Sequence, residues 1–143
     1  MNENPSEYTF DEIDLGLTKQ FEIIITEKLV NDFAKISGDY SPIHIDENYA
    51  KKTTFQKRVV HGMLLASFLS RMDGMYLPGR HALYFSQSLE FREPCFIGDK
   101  ITVISKVIDK SESTRIIKLE SKIINQDNKI LLYGLGRVIV RDD

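Results

Sequence analysis

Residues 63–72 read Met-Leu-Leu-Ala-Ser-Phe-Leu-Ser-Arg-Met, a helix-length run that is apolar on nearly every face. A surface helix carries one apolar stripe, whereas a helix that is apolar all round has to be wrapped by other structure. The sequence downstream supplies the wrapping. Residues 82–91, 101–108, 115–124 and 129–141 each have the pattern of a strand, with polar turns at 109–114 and 125–128. Within 115–124, Ile117, Leu119 and Ile123 alternate with Lys118, Glu120 and Lys122, the period of a sheet with one buried face. Gly134 and Gly136 mark a bulge in the last strand. Short turns make successive strands antiparallel neighbours. The expected architecture is α+β: one domain over residues 1–143, a curved antiparallel sheet wrapped around a central apolar helix.

Upstream, residues 20–25 carry three consecutive isoleucines and read as a strand. Thr26 fits a helix N-cap, Leu29, Val30, Phe33, Ala34 and Ile36 form the apolar stripe, and Gly38 ends the helix. Residues 38–44 form a loop set by glycine and proline, and Asp46 caps a short helix reaching Lys52. Residues 1–9 are expected to be a loose lead-in.

Composition excludes several classes. The chain has 143 residues, 42% of them hydrophobic and 28% charged, as an ordinary globular domain does. With 19 basic against 21 acidic residues it has no excess basic field for nucleic acid or an anionic membrane. The longest apolar run, residues 63–69, is far short of the ~20 residues that span a bilayer. The N-terminus has no signal-peptide pattern, and the single Cys95 cannot form an internal disulfide. A cytoplasmic protein is expected.

Two segments carry chemistry. Asp39 and His44 flank a bend that Pro42 stiffens, a spacing that lets a carboxylate and an imidazole meet at one point and hold a water between them. The plain alternative is that Asp39 caps the turn and His44 is an ordinary loop histidine. The second segment is His61-Gly62 at the start of the apolar helix. Free N–H groups and partial positive charge gather at a helix N-terminus, and a glycine there admits an oxygen to its N–H. The alternative is a glycine that merely allows a sharp turn. His44, His61 and His81 lack the sequence spacing of a metal site, so no metal is expected. Cys95 reads as a buried or edge thiol, and no phosphate-binding glycine loop or nucleophile elbow is present.

The runs Gly38-Asp39-Tyr40-Ser41-Pro42-Ile43-His44 and Val60-His61-Gly62-Met63 together resemble the signature of the MaoC-like (R)-specific enoyl-CoA hydratases. The segments 87–91 and 97–99 also look like strands of that family. The resemblance implies a hotdog fold, which agrees with the pattern above. It implies that Asp39 and His44 bind and activate water and that the Gly62 N–H meets the substrate's thioester carbonyl. It places Ser41, His61 and Met63 among the substrate-binding positions, with Ser70 near the acyl pocket. Ser41 stands where the family more often carries Asn.

The implied reaction is reversible addition of water to a trans-2-enoyl-CoA, giving a (3R)-3-hydroxyacyl-CoA. No cofactor is needed, since coenzyme A is part of the substrate. A homodimer is implied. The rivals are a 3-hydroxyacyl dehydratase that takes its substrate from acyl carrier protein, a hotdog thioesterase, and a non-catalytic module that binds acyl thioesters.

Overall fold

The computed structural model describes residues 3–143. Strand β1 (Thr18–Ile24) leads into helix α1 (Glu27–Ser37). The Thr26 hydroxyl accepts from the Leu29 N–H at 3.2 Å, and Gly38 ends the helix with φ at 79°, a left-handed conformation that costs glycine little. The amphipathic stripe buries Val30 and Ala34 and leaves Ile36 in solvent.

The 38–44 segment is not all loop. Residues Pro42–Ile45 form one helical turn, α2, with Pro42 at its first position, where its missing N–H is no loss. Asp46 ends that turn and caps α3 (Glu47–Lys51), its Oδ1 accepting from the Tyr49 N–H at 3.1 Å. Helix α4 (Gly62–Arg71) follows and continues into a π-helical turn, Met72–Tyr76.

The sheet comprises β2 (Ala82–Gln87), β3 (Glu90–Phe91), β4 (Lys100–Ser111), β5 (Ile116–Ile124) and β6 (Ile130–Val140) together with β1. Its order is β1-β4-β5-β6-β2, with β3 also paired to β6, and every pairing is antiparallel. The inner face, including Val103, Val107, Ile117, Leu119, Ile123 and Leu132, closes on Leu64, Leu65, Phe68 and Leu69 of α4. A curved sheet around a central helix is the hotdog arrangement.

Four details differ from expectation. Residues 82–91 are two strands, because Phe85 bulges out of the pairing with β6 and the strand is interrupted at residues 88–89 before pairing with β6 resumes at Glu90. The close approach of residues 87–88 explains Gly134 and Gly136. They sit in regular pairing with β5, so they make no bulge. A Cβ on Gly134 would stand 2.2 Å from the Ser88 carbonyl oxygen, and one on Gly136 2.4 Å from Gln87 Oε1. The glycines admit the close approach of residues 87–88. Strand β4 runs on to Ser111, so the turn expected at 109–114 begins later. Finally, residues 6–9 are pinned. The Ser6 N–H donates to Met75, the Tyr8 N–H to Pro78, and Glu7 pairs with Gly79. Met1 and Asn2 of the expected lead-in lie outside the described residues.

Helix α4 is not wrapped on every side. Met63 is 55% exposed, and Ala66, Ser67 and Ser70 lie on the same uncovered face. The apolar run therefore serves two surfaces, a core and an open groove. No helix among the described residues is long and apolar enough to cross a membrane.

Candidate active site

A cleft of about 560 Å³ opens where the N-terminus of α4 meets the α1–α2 bend and residues 91–95. Asp39, His44, His61, Gly62 and Met63 all line it. The fold has therefore brought both sequence motifs to one place.

The bend holds Asp39 by its own main chain. The Ser41 N–H donates to Asp39 Oδ1 at 3.1 Å, and the Asp39 N–H donates to the Ser37 hydroxyl at 3.1 Å. Asp39 does brace the turn, as the plain reading holds, while its carboxylate still faces the cleft. Ser41 supplies backbone to this bend and does not line the cleft.

His44 Nδ1 lies 2.6 Å from the Val59 carbonyl oxygen. A carbonyl only accepts, so Nδ1 carries a proton, and in the neutral ring Nε2 is the nitrogen left to accept. His61 Nε2 lies 3.0 Å from the Asp39 carbonyl oxygen, which fixes the other tautomer there. The His61 ring is buried, stacks on His44 with centroids 4.0 Å apart, and packs against Phe33 at 4.9 Å. Burial pushes its pKa down, the Asp39 carbonyl pulls it partly back, and nearby His44 lowers it further. His61 is thus a neutral spacer that joins Asp39 to the ring of His44.

One ligand atom from each of Asp39, His44 and His61 lies within 4.8 Å of the others, a convergence that linear spacing did not reveal. The two rings are close to parallel, 25° between planes. Stacked rings aim their lone pairs side by side. A metal ion needs nitrogens pointing in-plane at a common centre, about 2.0–2.1 Å away for zinc. The arrangement suits a water between carboxylate and Nε2 better than a cation.

At Gly62 the missing side chain makes room for an aromatic ring. A Cβ there would lie 2.8 Å from the Phe91 ring. The N–H groups of Gly62 and Met63, the first of α4, have no acceptor within the helix, and both residues line the cleft. Cys95 lines the opposite wall, 1% exposed, and burial pushes its thiol up to about 12 with Asp99 adding to the shift. It stays protonated at neutral pH. Ser70 lies apart, on a second groove along α4 that shares only Met63 with the cleft.

One cation beside the site is not solvated surface. Arg58 is 6% exposed. Its Nε donates to the His44 carbonyl at 2.6 Å, Nη1 to Glu27 at 3.0 Å and Nη2 to Asn31 Oδ1 at 2.7 Å. The available signal was Glu27 and Asn31 four apart on one face of α1, a pair of acceptors in need of a donor.

Comparison with known proteins agrees. Residues 11–129 match the family model described as MaoC like domain. The chain is 42% identical over 131 residues to an (R)-specific enoyl-CoA hydratase of Rhodospirillum rubrum, covering 92% of this chain and 90% of that one. It is 34% identical over 111 residues to a mitochondrial 3-hydroxyacyl-[acyl-carrier-protein] dehydratase of Arabidopsis thaliana, covering 76% of this chain and 66% of that one. Among solved structures, the unliganded R-hydratase PhaJ1 of Pseudomonas aeruginosa superposes with a TM-score of 0.93 at 28% identity, covering 97% of this chain and 89% of that one.

Proposed function

The chain belongs to the MaoC-like family and is a hydro-lyase of the hydratase and dehydratase kind, and we propose that it is an (R)-specific enoyl-CoA hydratase. The observation that carries this reading is the convergence of the Asp39 carboxylate and the His44 ring, whose Nδ1 is held by the Val59 carbonyl, beside the N-terminus of α4.

The enoyl thioester seats its carbonyl oxygen on the Gly62 N–H. Charge that moves onto that oxygen meets the partial positive end of α4 and makes the β-carbon electrophilic. Asp39 and His44 hold a water; its oxygen bonds to the β-carbon, one of its protons passes to this pair, and the α-carbon receives a proton. The reverse sequence is dehydration. No metal or organic cofactor enters, and His61 and Met63 bound the seat of the thioester.

The edge strand β2 pairs only with β6 and leaves Leu83 and Phe85 52% and 59% exposed. An open apolar edge of this kind invites another strand, and we place a second copy of the chain there as a homodimer. The lone buried Cys95 suits a reducing compartment, and we assign the enzyme to the cytoplasm.

The test is loss of enoyl-thioester absorbance with crotonyl-CoA, followed by chiral analysis. A (3R)-hydroxy product with no free thiol supports the reading. Turnover only of an enoyl group carried on acyl carrier protein moves the assignment to the carrier-protein dehydratase, the activity named for the Arabidopsis relative. Release of free thiol makes it a thioesterase.

A further inference from the structure

His61 joins two parts of the site that the chain keeps apart. Its main chain caps α4 and passes directly into Gly62. Its side chain reaches back to the bend between α1 and α2. Nε2 donates to the Asp39 carbonyl at 3.0 Å, a bond that spans 22 residues. The ring lies nearly flat on His44, with centroids 4.0 Å and planes 25° apart, and also packs against Phe33 of α1 at 4.9 Å.

This histidine is held at a cost. It is 2% exposed, and its Nδ1 has no hydrogen-bond partner among the described residues. Nε2 carries the proton, so Nδ1 is a buried acceptor left unpaired, which destabilises the fold. Leucine or phenylalanine would fill the space without that cost. Neither would supply together what the imidazole supplies, an N–H for the Asp39 carbonyl and a flat face for His44. Burial disfavours the charged form of His61, so His44 meets a ring and not a second cation.

We propose that His61 is a positioning residue that sets the register between the two halves of the site, the Gly62 N–H that takes the thioester carbonyl and the Asp39–His44 pair that holds the water. The proposal rests on the hydratase reading above. Hydration joins the water oxygen to the β-carbon, two bonds from the carbonyl carbon, so the two halves must stand at one fixed separation. A misplacement of about 1 Å between such groups costs on the order of 10²-fold in rate. The hydrogen bond to Asp39 and the stack on His44 both start from the residue bonded to Gly62, which ties the water pair to the α4 terminus.

The test measures kcat and KM for crotonyl-CoA, with circular dichroism melts, for the wild-type chain, His61→Leu, His61→Phe and His61→Gln. His61→Leu removes both the N–H and the flat face. Its kcat should fall about 100-fold with KM close to wild type. His61→Gln keeps an N–H the same number of bonds from the main chain and should recover most of kcat. His61→Phe keeps a flat ring without the N–H and should stay about tenfold below wild type, the worth of one hydrogen bond. A residue that only fills space gives the reverse order, with His61→Phe at the wild-type rate and His61→Gln below it, and that order overturns the proposal. So does a wild-type kcat in a folded His61→Leu, or a loss confined to KM, which would make His61 a substrate contact. If His61→Leu fails to fold, the order of the other two variants decides. The overturning outcomes leave hydration by the wild-type chain standing. No turnover of any enoyl thioester by the wild-type chain overturns the hydratase reading, and this inference with it.

Discussion

Arg58 donates from Nε to the main-chain carbonyl of His44 at 2.6 Å, so a buried guanidinium holds the peptide that carries the proposed base. The same side chain binds Glu27 and Asn31, which ties α1 to α2 and fixes both ends of the bend containing Asp39. Arg58→Ala should cost about 1–3 kcal/mol of stability, the worth of charge-assisted hydrogen bonds lost from a buried group. It should lower kcat more than it raises KM, because Arg58 positions His44 and touches no substrate. Arg58→Lys restores the charge without the fork and should recover only part of kcat. Denaturant melts and steady-state kinetics check this, and an unchanged kcat in a folded Arg58→Ala would remove the positioning role.

Asp39→Asn and His44→Gln should each reduce turnover about 10²–10⁴-fold while the fold and oligomeric state persist. Both side chains are at least partly exposed, so removing their proton-transfer chemistry leaves the core untouched. Circular dichroism with enoyl-thioester assays separates the outcomes. Normal turnover in both variants would rule out this water site.

At Gly62, a Cβ would meet the Phe91 ring at 2.8 Å, and Phe91 is 52% exposed and free to swing away. Gly62→Ala is therefore expected to fold with a stability change within about 1 kcal/mol. Its kcat/KM should drop because the displaced ring alters the seat of the thioester. Adding Phe91→Ala should return part of the loss. Additive effects of the two substitutions in a double-mutant cycle would show that the contact is irrelevant to binding.

Stability should depend on pH through Asp73. The native carboxyl keeps its proton to about pH 8, against 3.8 for an unperturbed group. The native state thus binds a proton that the unfolded chain has lost. The contribution is whole below the unperturbed value and is lost as pH rises through the native one. Between roughly pH 6.5 and 8, unfolding free energy should fall by up to about 1.4 kcal/mol per pH unit. His61, whose pKa is lowered, acts in the opposite sense as pH falls through its unfolded value, so the window above roughly 6.5 isolates Asp73. Urea titrations of the wild-type chain and Asp73→Asn test this, and equal slopes would show that Asp73 titrates normally.

The edge strand gives the oligomer prediction. Leu83→Lys places a charge on the exposed edge of β2 and should convert the dimer to monomer in sedimentation experiments. An unaltered dimer would locate the interface elsewhere.

Much of this was legible in the sequence because it is local. Thr26, Gly38, Asp46 and the alternation through β5 act within one turn or one strand pair, and each stands where the pattern placed it. The Asp39, His44 and Gly62 motifs were also legible as types in a spacing. What escaped depends on partners distant along the chain. Arg58 becomes interior only because α1 presents two acceptors 27 and 31 residues away. Gly134 and Gly136 looked like a bulge because nothing in β6 itself announces how closely residues 87 and 88 approach them. The apolar helix looked fully wrapped because periodicity reports where side chains point and not whether protein or a ligand covers them. Asp73 gives no local signal of burial, which follows from the π-helical turn that carries it.

The Val59 carbonyl selects which nitrogen of His44 is left bare. That oxygen belongs to the main chain, so no codon change at position 59 deletes it, and a scan of side-chain substitutions passes over it. Mutation reaches it only by redirecting the path of the backbone. The setting of this imidazole is therefore inherited through the shape of the chain, which many sequences can share, and only in part through the letters of the motif.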